Sequence, residues 1–547
     1  MPHRPTAAAV ITALALLGTA PTAQSREADF VPARDPVPGS FLVSLVETGR
    51  SAAATSSSLT GRYGGRVKTV FTAALHGFLV RDLTEAQARR LAADPAVRKV
   101  HQDGTARVAT DRFATAGAHA AARRTADPHA TATQSRATQS RATWGIDRVD
   151  QRSLPLDHEY DYRTTASEVT TYVLDSGVRR THAEFEGRAS DGHDFVDDDA
   201  VAQDCHGHGT HVAGTIGGRT WGVAKKTRLV AVRMLGCGGS APDSAGVEGI
   251  EWIARNAVEP AVVNGSFTFD TPGIGDEAIG GLTAAGIAFV AAAGNDSADA
   301  CGAGPARNPD VIAVGATNED DERARFSNHG SCVDLFAPGD SITSASHRGD
   351  TASTTMSGTS MASPHVAGGA ALYLAGHPTA TPAQVHEALT GAATPDVVRD
   401  PGPGSPNRLL HTASFGAEEP GCEGGRNDDD VPIPDAGAAV TSTVEVAGCP
   451  GAGTATTRVA VDIAHPYPAD LVVDLVGPGG AVFPLRAAGE VGSPGGLHET
   501  FAVDTSSQPR DGAWRLRVRD AYAHDTGKIE GWVLTFWTGR LPAPAPW

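Results

Sequence analysis

Between residues 144 and 412, short apolar runs alternate with segments in which apolar residues recur every three or four positions. The runs 170–174, 229–235, 261–264, 287–293 and 311–315 read as buried strands. The segment 244–257 places Ile250, Ile253, Ala254 and Ala257 on one helical face. Thr381-Pro382-Ala383-Gln384 joins a capping box to a proline at the first helical position, so a helix opens there. Strand–helix alternation predicts an α/β domain, a largely parallel sheet with helices on both faces. Functional groups are then expected at the carboxyl ends of strands. Asp175 and Asn295 stand at such ends.

The flanking regions differ in texture. Phe41-Leu42-Val43-Ser44-Leu45-Val46 reads as a strand, and Thr84-Glu85-Ala86-Gln87 as a capping box, within a small α+β unit over 39–110. Residues 111–143 are rich in Ala, Thr, Arg and Ser and repeat Ala-Thr-Gln-Ser-Arg at 132–136 and 137–141. Such a stretch buries too little apolar surface to order itself and reads as a cleavable linker. After a linker at 413–424, short alternating runs broken by Gly and Pro predict an all-β sandwich over 425–540, then an extended tail. Residues 1–25 carry His3 and Arg4, an apolar run from Ala7 to Leu17, and small residues through Ala23. That is the layout of a signal peptide. No later run is long enough to act as a membrane anchor.

The formal net charge of -18 argues against nucleic-acid binding by bulk electrostatics and suits a soluble protein with cation sites. Six cysteines, Cys205, Cys237, Cys301, Cys332, Cys422 and Cys449, favour disulfides in an exported chain but leave the pairing open.

Three motifs carry the chemistry. Thr171-Tyr172-Val173-Leu174-Asp175-Ser176-Gly177 supplies an acid, His206-Gly207-His208-Gly209-Thr210-His211 a base, and Gly358-Thr359-Ser360-Met361-Ala362 a nucleophile. A serine hydroxyl needs an adjacent base, and a carboxylate on the far imidazole nitrogen fixes the tautomer. Ser360 is therefore read as nucleophile, His208 as base and then acid, and Asp175 as its orienter. Asn295, in Ala293-Gly294-Asn295, can donate its amide hydrogen to a tetrahedral oxyanion. His206 and His211 lack the His-Glu-x-x-His pattern of a zinc protease. His365 reads as a packed helix residue.

These segments resemble the motifs of subtilisin-like serine proteases, in particular the proteinase K and aqualysin branch, over about 140–412. The resemblance implies a secreted endopeptidase acting on proteins or peptides through an acyl-enzyme. It also implies that 39–110 is an inhibitory propeptide, released when the zymogen cuts itself between about 125 and 143. It pairs Cys205 with Cys237 and Cys301 with Cys332, leaving Cys422 and Cys449 to the C-terminal region. It makes Ser266, Phe267 and Gly294 substrate-binding residues. The family's usual Ser-Leu-Gly-Gly here reads Ser266-Phe267-Thr268-Phe269, which is expected to narrow the strand that pairs with substrate.

Structural calcium is implied at two places. One is the acidic segment Asp147, Asp150, Gln151 and Asp157, where Glu159 replaces the usual Asn. The other comprises the Pro309 and Val311 carbonyls with Asp334. The acidic runs 196–199 and 427–430 read as solvated turns. Residues 425–540 resemble the P domain of proprotein convertases, through Val431-Pro432-Ile433-Pro434-Asp435, His465-Pro466-Tyr467, Asp470–Leu475 and Gly512–Leu516. A monomer is expected. Two other readings compete. A catalytically silent exported binding protein would rely on the sandwich. An esterase would want Gly-x-Ser-x-Gly, which Gly358-Thr359-Ser360-Met361-Ala362 does not supply.

Overall fold

The computed structural model describes residues 29–47, 49–109, 137–416, 424–449, 452–454, 457–489 and 496–536. The signal-like segment 1–25, Cys422 and the tail from 541 lie outside them.

The N-terminal unit is a five-stranded sheet with two helices. Its strands are β1 (Phe30–Val31), β2 (Phe41–Leu45), β3 (Arg66–Phe71), β4 (Gly77–Arg81) and β5 (Val97–Gln102), in spatial order β1-β5-β2-β4-β3. Helix α1 (Ala52–Tyr63) is capped by Ser51, and α2 (Glu85–Ala92) by the Thr84–Gln87 capping box. Strand alternation divides the sheet's two faces. Phe41, Val43, Leu45, Phe78 and Val80 pack with Leu59 and Leu91 of the helices. Leu42, Leu79 and Phe71 face the other way and join the core of the next unit. The unit begins before residue 39, because Phe30 pairs with Val100 and is buried.

Strand β6 (Thr105–Val108) leaves this unit, and the next unit opens with β7 (Ala137–Ser140), α3 (Trp144–Asp150) and β8 (Glu159–Tyr162). Residues 137–143 were expected in the linker. Instead β7 pairs antiparallel with β8, and Ala142 enters the core. Gln139 accounts for this: its amide accepts from Lys225 and donates to the Thr220 carbonyl at 3.0 Å.

The central sheet has β9 (Thr170–Asp175), β10 (Ala189–Asp194), β11 (Arg228–Arg233), β13 (Ala261–Gly265), β15 (Ala288–Ala292), β16 (Val311–Thr317), β17 (Leu335–Pro338), β20 (Thr394–Pro395) and β21 (Arg408–Leu409). The order is β10-β11-β9-β13-β15-β16-β17-β21-β20, parallel except for the last pair. Each strand sends alternate residues to two helical layers. Val173, Val262, Val290 and Val314 pack with α4 (His208–Gly217), α7 (Thr359–Gly376) and α8 (Pro382–Ala392). Leu174, Val263, Phe289 and Ala313 pack with α5 (Asp243–Asn256) and α6 (Asp276–Ala284). Short strands β12 (Ser240–Pro242) and β14 (Phe267–Thr268), and the hairpin of β18 (Ile342–Ala345) and β19 (Ser353–Met356), complete the unit.

Beyond residue 424 two antiparallel sheets stack. One contains β22 (Gly425–Asn427), β23 (Val431–Ile433), β25 (Thr457–Ala464), β28 (Leu497–Val503) and β30 (Gly527–Thr535). The other contains β24 (Val440–Val446), β26 (Leu471–Val476), β27 (Val482–Arg486) and β29 (Gly512–Asp520). Their inner residues, with Trp514 and Trp532 fully buried, form a separate core.

Candidate active site

Asp175 ends β9 and His208 opens α4, so a strand end and a helix start meet. His208 Nδ1 lies 2.7 Å from Asp175 Oδ1 and 3.0 Å from Oδ2, with both side chains fully buried. The close approach requires glycine at 209, where a Cβ would stand 2.1 Å from the Gly177 carbonyl. Asp204 fixes the helix start. One of its oxygens accepts from the His206 and Gly207 amides and from the Ser176 hydroxyl; the other accepts from the Thr210 amide and hydroxyl. No motif reading singled out Asp204, although its place just before the histidine run is where a capping carboxylate belongs.

Ser360 is the second residue of α7. Proline at 364 removes the amide that would bond the Ser360 carbonyl four residues back. Ser266 fills that vacancy, its hydroxyl donating to Ser360 O at 3.0 Å. Ser266 Oγ in turn accepts from Asn264 Nδ2, whose Oδ1 accepts from Ser363. Ser266 thus acts on the helix through its side chain and on the strand through its backbone.

A segment of the chain itself occupies the cleft. Strand β6 lies antiparallel between β12 and β14, pairing Ala106 with Ala241 and Val108 with Phe267. The next residue, Ala109, donates its amide to the Ser266 carbonyl at 3.3 Å. Its own carbonyl oxygen accepts from Ser360 Oγ, and from Asn295 Nδ2 at 2.5 Å. Asn295 is aimed by its other amide atom, since Oδ1 accepts from Thr359 N and Thr359 Oγ1, both at 2.9 Å. Gly294 supports the same corner, its amide donating a hydrogen bond to Thr359 Oγ1 at 3.1 Å. His208 Nε2 is buried without a hydrogen-bond partner.

Thr268 and Phe269, in place of the two glycines, do not keep the strand from pairing: Thr268 pairs with Arg107 of β6, and Phe269 packs against Phe267. The two phenylalanine rings meet at 5.0 Å and lie buried in the core with α5 and α6, while the backbone between them pairs with β6. His211 and His365 are packed helix residues with backbone partners. His211 donates from Nε2 to the Ile342 carbonyl at 2.9 Å, and burial drives its pKa down to about 3. His365 sits 2.8 Å from Met361 O and is lowered to about 4 by burial.

The cysteines pair as Cys205–Cys237 and Cys301–Cys332. Cys449 is disulfide-bonded.

The two acidic sets differ. In the first, Asp147 Oδ1 and Asp150 Oδ1 are buried without partners. Burial pushes Asp147 up to about 6 and Asp150 up to about 7, with neighbouring carboxylates including Asp157 adding to both. Gln151 turns its amide oxygen toward the Asp157 amide at 3.4 Å. In the second set the carboxylate has protein partners. Asp334 is engaged on both oxygens, by the Ala313 amide at 2.8 Å and by His386 Nε2 at 2.9 Å. The acidic turn at 196–199 is exposed, as expected of a solvated turn, and Asp197 on it also pairs with Arg233 at 2.6 Å.

A buried imidazole–carboxylate pair and a helix-start serine, set at the end of a parallel sheet, define a serine hydrolase, and the antiparallel peptide cradle beside them suits a polypeptide. Residues 166–416 match the subtilase family, and residues 454–536 the proprotein convertase P-domain. An extracellular serine proteinase of Thermus sp. (strain Rt41A) is 47% identical over 64% of this chain and 79% of its own length. Alkaline serine exoprotease A of Vibrio alginolyticus is 42% identical over 74% of this chain and 70% of its own length. A cold-adapted subtilisin-like serine proteinase of known structure is 49% identical, covering 50% of this chain and 99% of that one, with a TM-score of 0.49. The chain belongs to the subtilase family and is a serine endopeptidase. Among the described residues no helix is long and apolar enough to cross a membrane.

Proposed function

We propose that this is a secreted endopeptidase made as a zymogen that cuts itself between Ala109 and Thr110. The observation that carries this is the Ala109 carbonyl oxygen, held between Ser360 Oγ and Asn295 Nδ2. Ser360 Oγ turns from that oxygen to His208, passes its proton to Nε2, and bonds to the Ala109 carbonyl carbon. Asp175 holds the Nδ1–H and stabilises the imidazolium. Charge developing on the Ala109 oxygen meets the Asn295 amide. Collapse breaks the Ala109–Thr110 bond, and His208 returns the proton to the new amine. Water, deprotonated by His208, then releases the acyl group from Ser360.

After the cut, residues 29–109 remain as an inhibitor, because β6 fills the cleft and Phe71, Ala74 and Leu75 stay in the core beside α5 and α6. Protein substrates take the same antiparallel register, with a small residue at the place of Ala109 and an apolar one at the buried place of Ala106. Calcium fits the first acidic set. Asp147, Asp150, Asp157 and Gln151 would hold it, satisfying the two orphaned carboxylate oxygens. There it supplies structural cross-linking rather than chemistry.

The test compares secreted wild type with Ser360→Ala. The first new N-terminus should be Thr110, the variant should stay uncut, and casein clearing should vanish with it. A first cut between 125 and 143, or unchanged processing in the variant, would refute the assignment.

A further inference from the structure

One cluster of ligating side chains has no part in the proteolytic site. His465 directly follows β25, Asp520 ends β29, and Asp525 lies in the loop before β30. These elements belong to both sheets of the C-terminal sandwich. The His465 and Asp520 side chains are fully buried, and Asp525 is 11% exposed. His465 Nε2 lies 3.3 Å from Asp525 Oδ1 and 3.6 Å from Asp520 Oδ2. All three atoms are buried, and none has a hydrogen-bond partner. They converge within 4.8 Å of one another.

Protein interiors rarely leave three polar atoms facing one another unsatisfied. A proton on Nε2 does not resolve the cluster, since neither carboxylate contact has hydrogen-bonding geometry. A metal ion does. Zinc bonds to imidazole and carboxylate at about 2.0–2.2 Å, so tetrahedral ligands stand about 3.3–3.6 Å apart. The two separations from His465 Nε2 match that edge. The rest of the imidazole is prepared for the role. Nδ1 lies 3.0 Å from the Tyr467 carbonyl, closer than the 3.2 Å to the Tyr467 amide. In the tautomer that donates there, the Nε2 lone pair is free for a metal. Glycine at 527 lets the ring lie flat against the chain, since a Cβ would stand 2.4 Å from His465 Cδ2. Imidazole suits zinc, whereas calcium takes oxygen ligands.

We propose that His465, Asp520 and Asp525 bind one zinc ion that ties the two sheets of the sandwich together at one end. The site is independent of the acidic segment near Asp147 and of peptide hydrolysis.

The test uses the untagged full-length Ser360→Ala chain, stripped with a chelator and dialysed into excess calcium to fill hard-oxygen sites. Zinc added to it should bind at about one ion per chain by elemental mass spectrometry. It should also raise the melting temperature by on the order of 10 °C. His465→Gln and Asp525→Asn should each lose at least nine-tenths of the bound zinc. Cobalt(II) in the otherwise unaltered Ser360→Ala chain gives a reading that needs no folded variant of the site. Intense visible bands of a tetrahedral ion support the proposal; the weak spectrum of a six-coordinate ion overturns it. Absent binding, or zinc retained equally by both variants, also overturns it.

Discussion

Asn295 shows how much one side chain is asked to do. Its Nδ2 meets the Ala109 oxygen while its Oδ1 is locked by two donors from Thr359. Replacing it with Ala removes a pre-aimed donor from a buried site. Turnover of a peptide substrate should fall about 10²–10³-fold with little change in KM, the size found for this kind of oxyanion donor in subtilisin. An equal loss in KM would assign Asn295 to ground-state binding instead. A second residue-scale expectation concerns His386. Its hydrogen bond with Asp334, opposed by burial, raises its pKa above the ordinary value. A raised folded value means the pair stabilises fully below about pH 6.5 and loses that contribution as pH climbs through the raised value. His386→Gln should therefore melt below wild type at pH 6, and the two should approach each other by pH 9. A constant difference across that range would show that packing, not charge, is at stake. The residues proposed as acid, base, nucleophile and oxyanion donor were legible because each sits in a run of small residues with a recognisable chemical role. Asp204 and Ser266 were less so, since their work is to satisfy backbone groups exposed only once a helix start and a proline are placed in three dimensions.

At the scale of elements, periodicity worked where one face is buried. Helix α5 runs from Asp243 to Asn256 with Ile250 and Ile253 in the core, and both capping boxes form. Periodicity was silent about β6 and β7, whose short polar sequences gain order from partners far along the chain. The same holds for the contact between the N-terminal unit and α5. Glu251 of α5 accepts backbone amides of Thr72, Ala73, Ala74 and Leu75 at 2.7, 2.8, 2.7 and 3.3 Å. Gly281 of α6 allows the same loop to close in, since a Cβ there would lie 1.9 Å from the Ala74 carbonyl. Hydrogen bonds to a charged acceptor contribute about 1.5–3 kcal/mol each, and leaving amides unpaired costs further. Glu251→Ala should thus speed release of the cleaved N-terminal unit by at least roughly tenfold, read as a shorter lag before casein hydrolysis begins. An unchanged lag, in a variant whose mature form melts like wild type, would remove Glu251 from the docking.

At the scale of the whole molecule, two arrangements coexist. Ala109 occupies the cleft, and β7 is already paired with β8. Residues 110–136 join them, a length that spans up to about 90 Å when extended. Both arrangements are present in one uncut chain, so the catalytic unit reaches this fold with the bond after Ala109 intact. That bears on the acidic segment. Strand β8 follows Asp157, the Asp161 amide on it donates to Asp150 Oδ2 at 2.5 Å, and Thr138 of β7 hydrogen-bonds the Asp161 carboxylate. The proposed calcium cage is tied to β7, so it should be complete in the zymogen. Calcium removal should then lower the melting temperature of uncut Ser360→Ala as much as that of the processed enzyme. Asp150→Asn should abolish the calcium response in both. Calcium stabilising only the processed form would mean that cleavage, not folding, assembles the segment.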